Sequence, residues 1–309
     1  MKILLYNIGY RGDILVVGQN FSRELHLRHP QAALDLMLHP RMREAQDFLE
    51  PLALYRQFLF GEKKDFHSLK GEYDLAFIID ENIYPEGHLR TIFTLAGFQF
   101  RHHPLTFATC ENDDKLAGDI ARQYRRPLIA TQVDMARKWP RAKAEELWKR
   151  LSDIGSLLTV GPGQTFPGCE RPLTFRESAA LLREADIFVG IDSGIAHAAA
   201  LVGTQTVLLQ MAHPENWISP TDYANPFIAD DNARHVSIHP PREEFCGHYF
   251  CLRPTGSGGI ARPSGNPLQV KCVWKKRLGI FKGTSCFNKI SVDTFYDTVA
   301  ETMQRRKLL

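Results

Sequence analysis

Three short stretches carry side chains suited to chemistry, and each lies where a strand should give way to a helix. The first is Gly9-Tyr10-Arg11-Gly12-Asp13-Ile14-Leu15. A glycine turn leads into a helix that Asp13 opens. A carboxylate in that place can cap helix N–H groups. Held in a dry cleft, it can instead take the proton of a substrate hydroxyl. The second is Gly190-Ile191-Asp192-Ser193-Gly194-Ile195-Ala196-His197. A small turn, with Gly194 in it, opens directly into a helix, so backbone N–H groups and the positive helix end can meet a phosphate. Ser193 adds a hydroxyl donor and His197 lies one turn further in. Asp192 would cap the helix or orient its neighbours. The competing reading is a capped helix with a satisfied core histidine. The third is Thr131-Gln132-Val133-Asp134-Met135-Ala136-Arg137-Lys138-Trp139-Pro140. Arg137, a planar fork, and Lys138, a point charge, suit a diphosphate. In an ordinary loop two such residues are simply solvated.

The elements needed to position these residues are readable around them. In the second half, apolar runs predict strands at 127–131, 157–160, 187–190 and 206–210. Between them, spacings of three and four predict helices over 140–152, from Thr174 through Leu182, and over 195–202. Thr174-Phe175-Arg176-Glu177 has the form of a capping box. Gly203 should stop the third helix. Strand and helix in alternation mean a parallel sheet covered on both faces. The first half repeats the theme with strands at 2–6, 33–38 and 75–80, and 104–114 reads as an interdomain crossing. A closing helix is predicted over 291–305. Two doubly wound units imply a cleft, with ligands beyond the carboxyl ends of the strands.

Composition sets the class. The chain has 309 residues, 44% hydrophobic and 24% charged, which excludes a disordered chain, a collagen-like repeat and a disulfide miniprotein. Net charge is +3, from 38 Lys and Arg against 35 Asp and Glu. That balance does not point to nucleic acid. The charges are unevenly placed, however. Residues 234–309 hold 13 basic against 5 acidic side chains, so this basic portion suits phosphates, an anionic membrane surface or an acidic partner; the competing reading is a solvated basic face. No apolar run approaches the roughly 20 residues of a membrane span, and the N-terminus lacks a signal peptide's core. A cytoplasmic protein with reduced cysteines is expected.

Four of the six cysteines cluster in 241–286, a stretch rich in Gly, Pro and basic residues. Cys246, Cys251, Cys272 and Cys286 could hold zinc or iron tetrahedrally, with His248 as a substitute ligand. The other reading is four unligated thiols. Cys110 and Cys169 are isolated. His102-His103 has no carboxylate or cysteine at ligand spacing and reads as a solvated pair. His213-Pro214-Glu215-Asn216-Trp217, after the 206–210 strand, could contact a ligand or could pack as a surface loop.

Taken together, these stretches resemble glycosyltransferase family 9, the lipopolysaccharide heptosyltransferase group. The strongest block runs from Ala185-Asp186-Ile187-Phe188-Val189-Gly190 through Asp192-Ser193-Gly194 and His197 to Gly203-Thr204. Arg137-Lys138-Trp139-Pro140 is similar to the family's K-x-W-P loop, with Arg137 where Lys is usual. Gly12-Asp13 is similar to its GD motif, without the proline that often follows. Tyr73-Asp74-Leu75 resembles a further strand motif. The resemblance implies a GT-B fold, two Rossmann-like domains facing a cleft. Residues 1–114 would bind acceptor and 115–290 would bind donor. Residues 291–309 would form a helix that could cross back to the first domain. It implies inverting sugar transfer from a nucleotide diphosphate, with ADP-heptose favoured, to a glycan, a lipopolysaccharide core or a protein. Asp13 would be the base. Thr131, Gln132, Arg137, Lys138, Asp192, Ser193, Gly194 and His197 would bind donor. No cofactor is expected for the chemistry, and the chain has no Asp-x-Asp tripeptide. A related group that glycosylates autotransporters carries an iron-binding finger at the cysteine segment. The basic portion would suit peripheral contact with an inner membrane. Two other classes stand beside this one: a sugar-nucleotide epimerase or hydrolase on the same scaffold, and a non-enzymatic metal-binding interaction module.

Overall fold

A computed structural model of the chain describes residues 1–9, 11–79, 88–101, 103–132, 139–167, 169–191, 193–209, 235–239 and 289–309, with Asp13 and residues 88–91 described in their backbone only. The described residues form two parallel sheets. The first contains β1 (Lys2–Asn7), β2 (Ala33–Leu38), β3 (Gln57–Phe60) and β4 (Leu75–Ile79), in the order β3-β2-β1-β4. The second contains β5 (Leu128–Thr131), β6 (Ser156–Thr159), β7 (Ile187–Ile191), β8 (Thr206–Leu209) and β9 (His235–Ile238), in the order β6-β5-β7-β8-β9. Every pairing is parallel. Such strands must be apolar on both faces, and β1, Lys-Ile-Leu-Leu-Tyr-Asn, is buried from its second residue onward.

The helices follow the same logic. In the first unit α1 (Arg11–Asp13) runs through a π-helical turn, Ile14–Gly18, into α2 (Gln19–Arg28). All five residues of the π turn are buried. Shorter helices α3 (Ala45–Leu49) and α4 (Lys63–Leu69) precede α5 (His88–Leu95). Then come α6 (Glu111–Ala121), α7 (Arg141–Ile154), α8 (Phe175–Glu184), α9 (Gly194–Leu201) and α10 (Val292–Arg305). The expected capping box is present: Thr174 Oγ1 accepts the Glu177 N–H at 3.2 Å, and Glu177 Oε2 accepts the Thr174 N–H at 2.7 Å. Gly203 stops α9 as expected, at φ +90°, with the Thr204 N–H donating to the Ala199 carbonyl at 2.9 Å.

Two apolar clusters hold the layers. One runs from Ile3 and Leu5 of β1 through Phe21, Phe48 and Phe107 to Phe175 and Phe188, so it spans both units. The other lies on the far face of the second sheet and joins Trp139, Leu147 and Ile191 to Phe295 and Val299. The closing helix α10 therefore packs on α7 and the second sheet. Lys143 donates to the Ile290 carbonyl at 2.9 Å, and Arg150 pairs with Asp293 at 2.7 Å.

Four features were not expected from the sequence. Strands β3 and β9 are two of them. The stretch 104–114 is irregular only as far as Cys110, and residue 114 lies inside α6, which packs on α8. His103 is not solvated. It is buried, with Nε2 2.8 Å from Glu24 Oε2. Glu24 also accepts from Arg28 and Arg101 at 2.5 and 2.6 Å. Burial pushes the Glu24 carboxyl up, but these three donors outweigh it and hold it below the usual carboxylate range. Burial pushes His103 down, against the pull of Glu24.

Candidate functional site

All three chemical stretches meet in space, the third through its opening residues. At the end of β1, Asn7 turns the chain: its Oδ1 accepts the Gly9 N–H at 2.9 Å, an Asx turn. The chain then enters α1, and Gly12 comes against the start of α9. A Cβ on Gly12 would stand 3.0 Å from His197 Cδ2 and 3.5 Å from the Gly194 Cα. A Cβ on Gly194 would stand 3.0 Å from Arg11 Cβ and 3.1 Å from the Gly12 nitrogen. The turn that carries Asp13 and the helix start that carries Ser193 and His197 thus touch glycine to glycine. Asp13 sits at the last position of α1, immediately before the buried π turn.

Arg11 ties the two sides together. Its guanidinium pairs with Glu44 of the first unit and lies 5.4 Å from the ring centroid of Phe175 in the second. The sequence alone assigns Arg11 no role. A cation beside a glycine turn was the available signal, but its partners are 33 and 164 residues away. Asn7 did leave a local signal, since Asn-x-Gly at a strand end is an Asx-turn signature.

On the second sheet, Thr131 ends β5 and Gln132 follows it. Thr131 is fully buried, and its Oγ1 accepts from Trp148 Nε1 at 3.1 Å. Gln132 is 3% exposed. Its Oε1 accepts from Ser193 Oγ at 2.8 Å, whereas its Nε2 has no hydrogen-bond partner among the described residues. Ser193 is the N-cap of α9: its Oγ accepts the Ala196 N–H at 3.2 Å. The amides of Gly194 and Ile195 belong to the first turn, where a helix offers no internal acceptor. His197 is buried, one turn into α9. The result is a helix end, a buried amide donor and an imidazole gathered at the β5–β7 switch point, the usual ligand position of an open α/β sheet. Such a cluster can neutralise an anion without a charged side chain.

Other expected residues cannot be placed. Arg137, Lys138, Asp192, the side chain of Asp13, residues 213–217, and Cys246, Cys251, Cys272 and Cys286 with His248 lie outside the described residues. Trp139, the next residue in sequence after 133–138, is 2% exposed, and its ring meets Phe295 edge-on at 5.6 Å. Among the described residues no group of three or more His, Cys, Asp or Glu side chains could hold a metal. No helix among them is long and apolar enough to cross a membrane. Cys110 and Cys169 are free and half-buried.

Comparison with known proteins bears directly on this region. Residues 170–233, which include Ser193, Gly194 and His197, match the family model for glycosyltransferase family 9 (heptosyltransferase). The resemblance read from the sequence is thereby shown. No curated protein sequence matches. Among solved structures, the chain is similar to ADP-heptose LPS heptosyltransferase II of E. coli, with TM-score 0.61 and 16% identity over 99% of this chain and 100% of that one. It is similar to the family 9 glycosyltransferase of Veillonella parvula DSM 2008, with TM-score 0.62 and 10% identity over 98% and 97%. It is also similar to TibC of enterotoxigenic E. coli H10407, an iron-containing dodecameric heptosyltransferase solved with ADP-D-beta-D-heptose. There the TM-score is 0.59 and the identity 13%, over 99% of this chain and 78% of that one. The fold is the GT-B arrangement of two parallel-sheet units.

Proposed function

We propose that this chain is a family 9 glycosyltransferase that moves a sugar, with inversion, from a nucleoside-diphosphate donor to a hydroxyl acceptor. The observation that carries the reading is the contact of the Gly12 turn with the start of α9, inside the stretch that matches the family. ADP-heptose is the favoured donor, because two of the similar structures are ADP-heptose enzymes by their names. The acceptor would be a glycan, a lipopolysaccharide core or a protein side chain.

The chemistry follows from the groups present. The acceptor oxygen attacks the anomeric carbon from the face opposite the nucleotide. The bond from that carbon to the β-phosphate oxygen breaks, and the nucleoside diphosphate leaves with the electron pair. Asp13 takes the acceptor's proton. Charge on the leaving group is met by the α9 helix end, Gln132, His197 and the Arg137–Lys138 pair. With no Asp-x-Asp tripeptide in the chain, the proposal places no metal at the reacting carbon. Closure of the two units would exclude water and limit donor hydrolysis.

Two further parts of the reading concern the C-terminal portion. The thiol set Cys246, Cys251, Cys272 and Cys286 suits a structural zinc or iron, and elemental analysis of purified protein should find about one equivalent. The basic residues of 234–309 suit a phosphorylated glycolipid at the cytoplasmic face of an inner membrane.

Calorimetry with ADP-heptose, ADP, UDP and GDP tests the core of the proposal. Binding of ADP-heptose, weakened at least about tenfold by Arg137→Ala or His197→Ala, is expected. Asp13→Asn should keep that binding and lose about 10²–10⁴-fold in transfer. Absence of binding to every nucleotide would overturn the transferase reading. Turnover of donor without any acceptor would favour an epimerase or hydrolase.

A further inference from the structure

Ser193 has already spent its one proton. Its hydroxyl oxygen accepts the Ala196 N–H at 3.2 Å, and its O–H donates to Gln132 Oε1 at 2.8 Å. That leaves it no donor for a ligand. The donor capacity passes instead to Gln132, whose Nε2 carries two N–H groups and is buried with no partner among the described residues. An amide has two ends, and fixing one fixes the other. The space for this arrangement comes from Gly190 on the neighbouring strand, where a Cβ would stand 3.2 Å from Gln132 Oε1. The pair sits where the second sheet reverses its order, β6-β5-β7, beside the first turn of α9.

We infer that Ser193 is a positioning residue that acts through Gln132, turning its amide so that Nε2 donates to an anionic oxygen of the departing nucleoside diphosphate. The inference rests on the transferase reading above and deepens it. The contact is neutral, so it does not titrate, and its donor count depends on the amide being held one way round. Replacing the amide by a carboxylate keeps an acceptor for Ser193 but turns an oxygen toward the anion.

A double-mutant cycle on ADP affinity, read by calorimetry alongside melting temperature, tests this. Ser193→Ala and Gln132→Ala should each weaken ADP about threefold to tenfold, the range of a neutral hydrogen bond. In the Gln132→Ala background, Ser193→Ala should lower the melting temperature through the lost cap yet leave ADP affinity within about twofold. Ser193→Thr should restore affinity, and Gln132→Glu should weaken ADP more than Gln132→Ala. Should Ser193→Ala fail to fold, Ser193→Gly removes the hydroxyl at a small capping cost and completes the cycle. Independent, additive losses would mean that Ser193 touches the ligand itself and would overturn the inference. So would an unchanged affinity in Gln132→Ala. In both cases the wild type still binds ADP and the transferase reading stands. A wild type that binds none of ADP, UDP or GDP removes that reading and this inference with it.

Discussion

Gly12 and Gly194 show how tightly single residues are constrained where the two units touch. Neither has a positive φ, so backbone freedom is not the reason for glycine there. The reason is close approach. At Gly194 a methyl would meet backbone, the Gly12 nitrogen at 3.1 Å, as well as Arg11 Cβ at 3.0 Å. Neither can swing away as a flexible side-chain end would. At Gly12 the obstacle is the His197 ring, which is itself buried. Gly194→Ala should therefore push the Asp13 turn away from the α9 start by a fraction of an ångström. Misplacement on that scale is costly for transfer between bound partners. A loss of at least about tenfold in transfer rate is expected, with the melting temperature lowered by only a few degrees. Steady-state kinetics beside a thermal melt checks this. Wild-type rates in Gly194→Ala would show that the close contact plays no part in catalysis.

Among the elements, α8 joins what the sequence displays to what only the fold reveals. Its capping box could be read directly from Thr174-Phe175-Arg176-Glu177, because both partners lie within one turn. Arg171 could not be anticipated in the same way. It donates to both Glu177 oxygens, at 2.9 and 2.6 Å, and this holds the carboxyl down at about 2, against the opposing effect of burial. The folded value lies below the unfolded one. The stability this contributes is thus fully present above the ordinary carboxylate range and is lost as pH falls toward 2. Glu177→Gln can still back-bond to the cap but cannot pair with Arg171. It should cost about 1 kcal/mol at pH 7 and flatten the acid limb of the stability curve between about pH 5 and 2. Urea midpoints across that range measure it. A mutant curve parallel to wild type would show that Glu177 titrates alike in both states.

The same contrast explains what the sequence displayed elsewhere and what it hid. Strands β1, β2, β5, β7 and β8 are apolar runs because both their faces are covered, and they were readable to within a residue or two. Strand β3 has four residues that are no more than half-buried, and β9 alternates His, Val, Ser and Ile. Among the described residues both are edge strands; the apolar part of β3 is only Phe58-Leu59-Phe60, too short for pattern alone to mark as a strand, and β9 has no continuous apolar run. Helix α6 opens Glu-Asn-Asp-Asp, an acidic first turn that reads as a loop until its apolar face finds α8. His103 looked solvated because its partner, Glu24, is 79 residues away. Of the candidate site, the residue types were visible in the sequence. The Gly12–Gly194 contact and the orientation of Gln132 were not, because each joins segments more than 60 residues apart.

At the scale of the whole molecule, the two units share a core. Phe48 and Phe107 of the first unit stack at 5.1 Å, and Phe175 of α8 packs against them at 5.4 and 5.8 Å. Around this cluster Arg176 pairs with Asp113 at 2.6 Å and donates to the Asp47 carbonyl at 2.9 Å. Arg11 closes the rim over Phe175. The seam runs on to the glycine contact of the candidate site, because Ile14, Leu15, Ile195 and Ala196 beside the two glycines belong to the same apolar cluster. A seam of that kind couples unfolding of the units. Wild type should accordingly unfold in urea in one transition. Phe175→Ala removes a ring that is 2% exposed and should lower stability by about 3–5 kcal/mol. The same variant should also loosen the approach of Gly12 to Gly194, because Arg11 loses the surface beneath its guanidinium. Its ADP affinity should fall less than its transfer rate, since the proposed leaving-group contacts lie on the second unit and the proposed base, Asp13, on the first. Two separate transitions in wild type would show that the seam does not couple the units. An equal loss of ADP affinity and transfer rate in Phe175→Ala would place its effect inside the second unit instead of across the cleft.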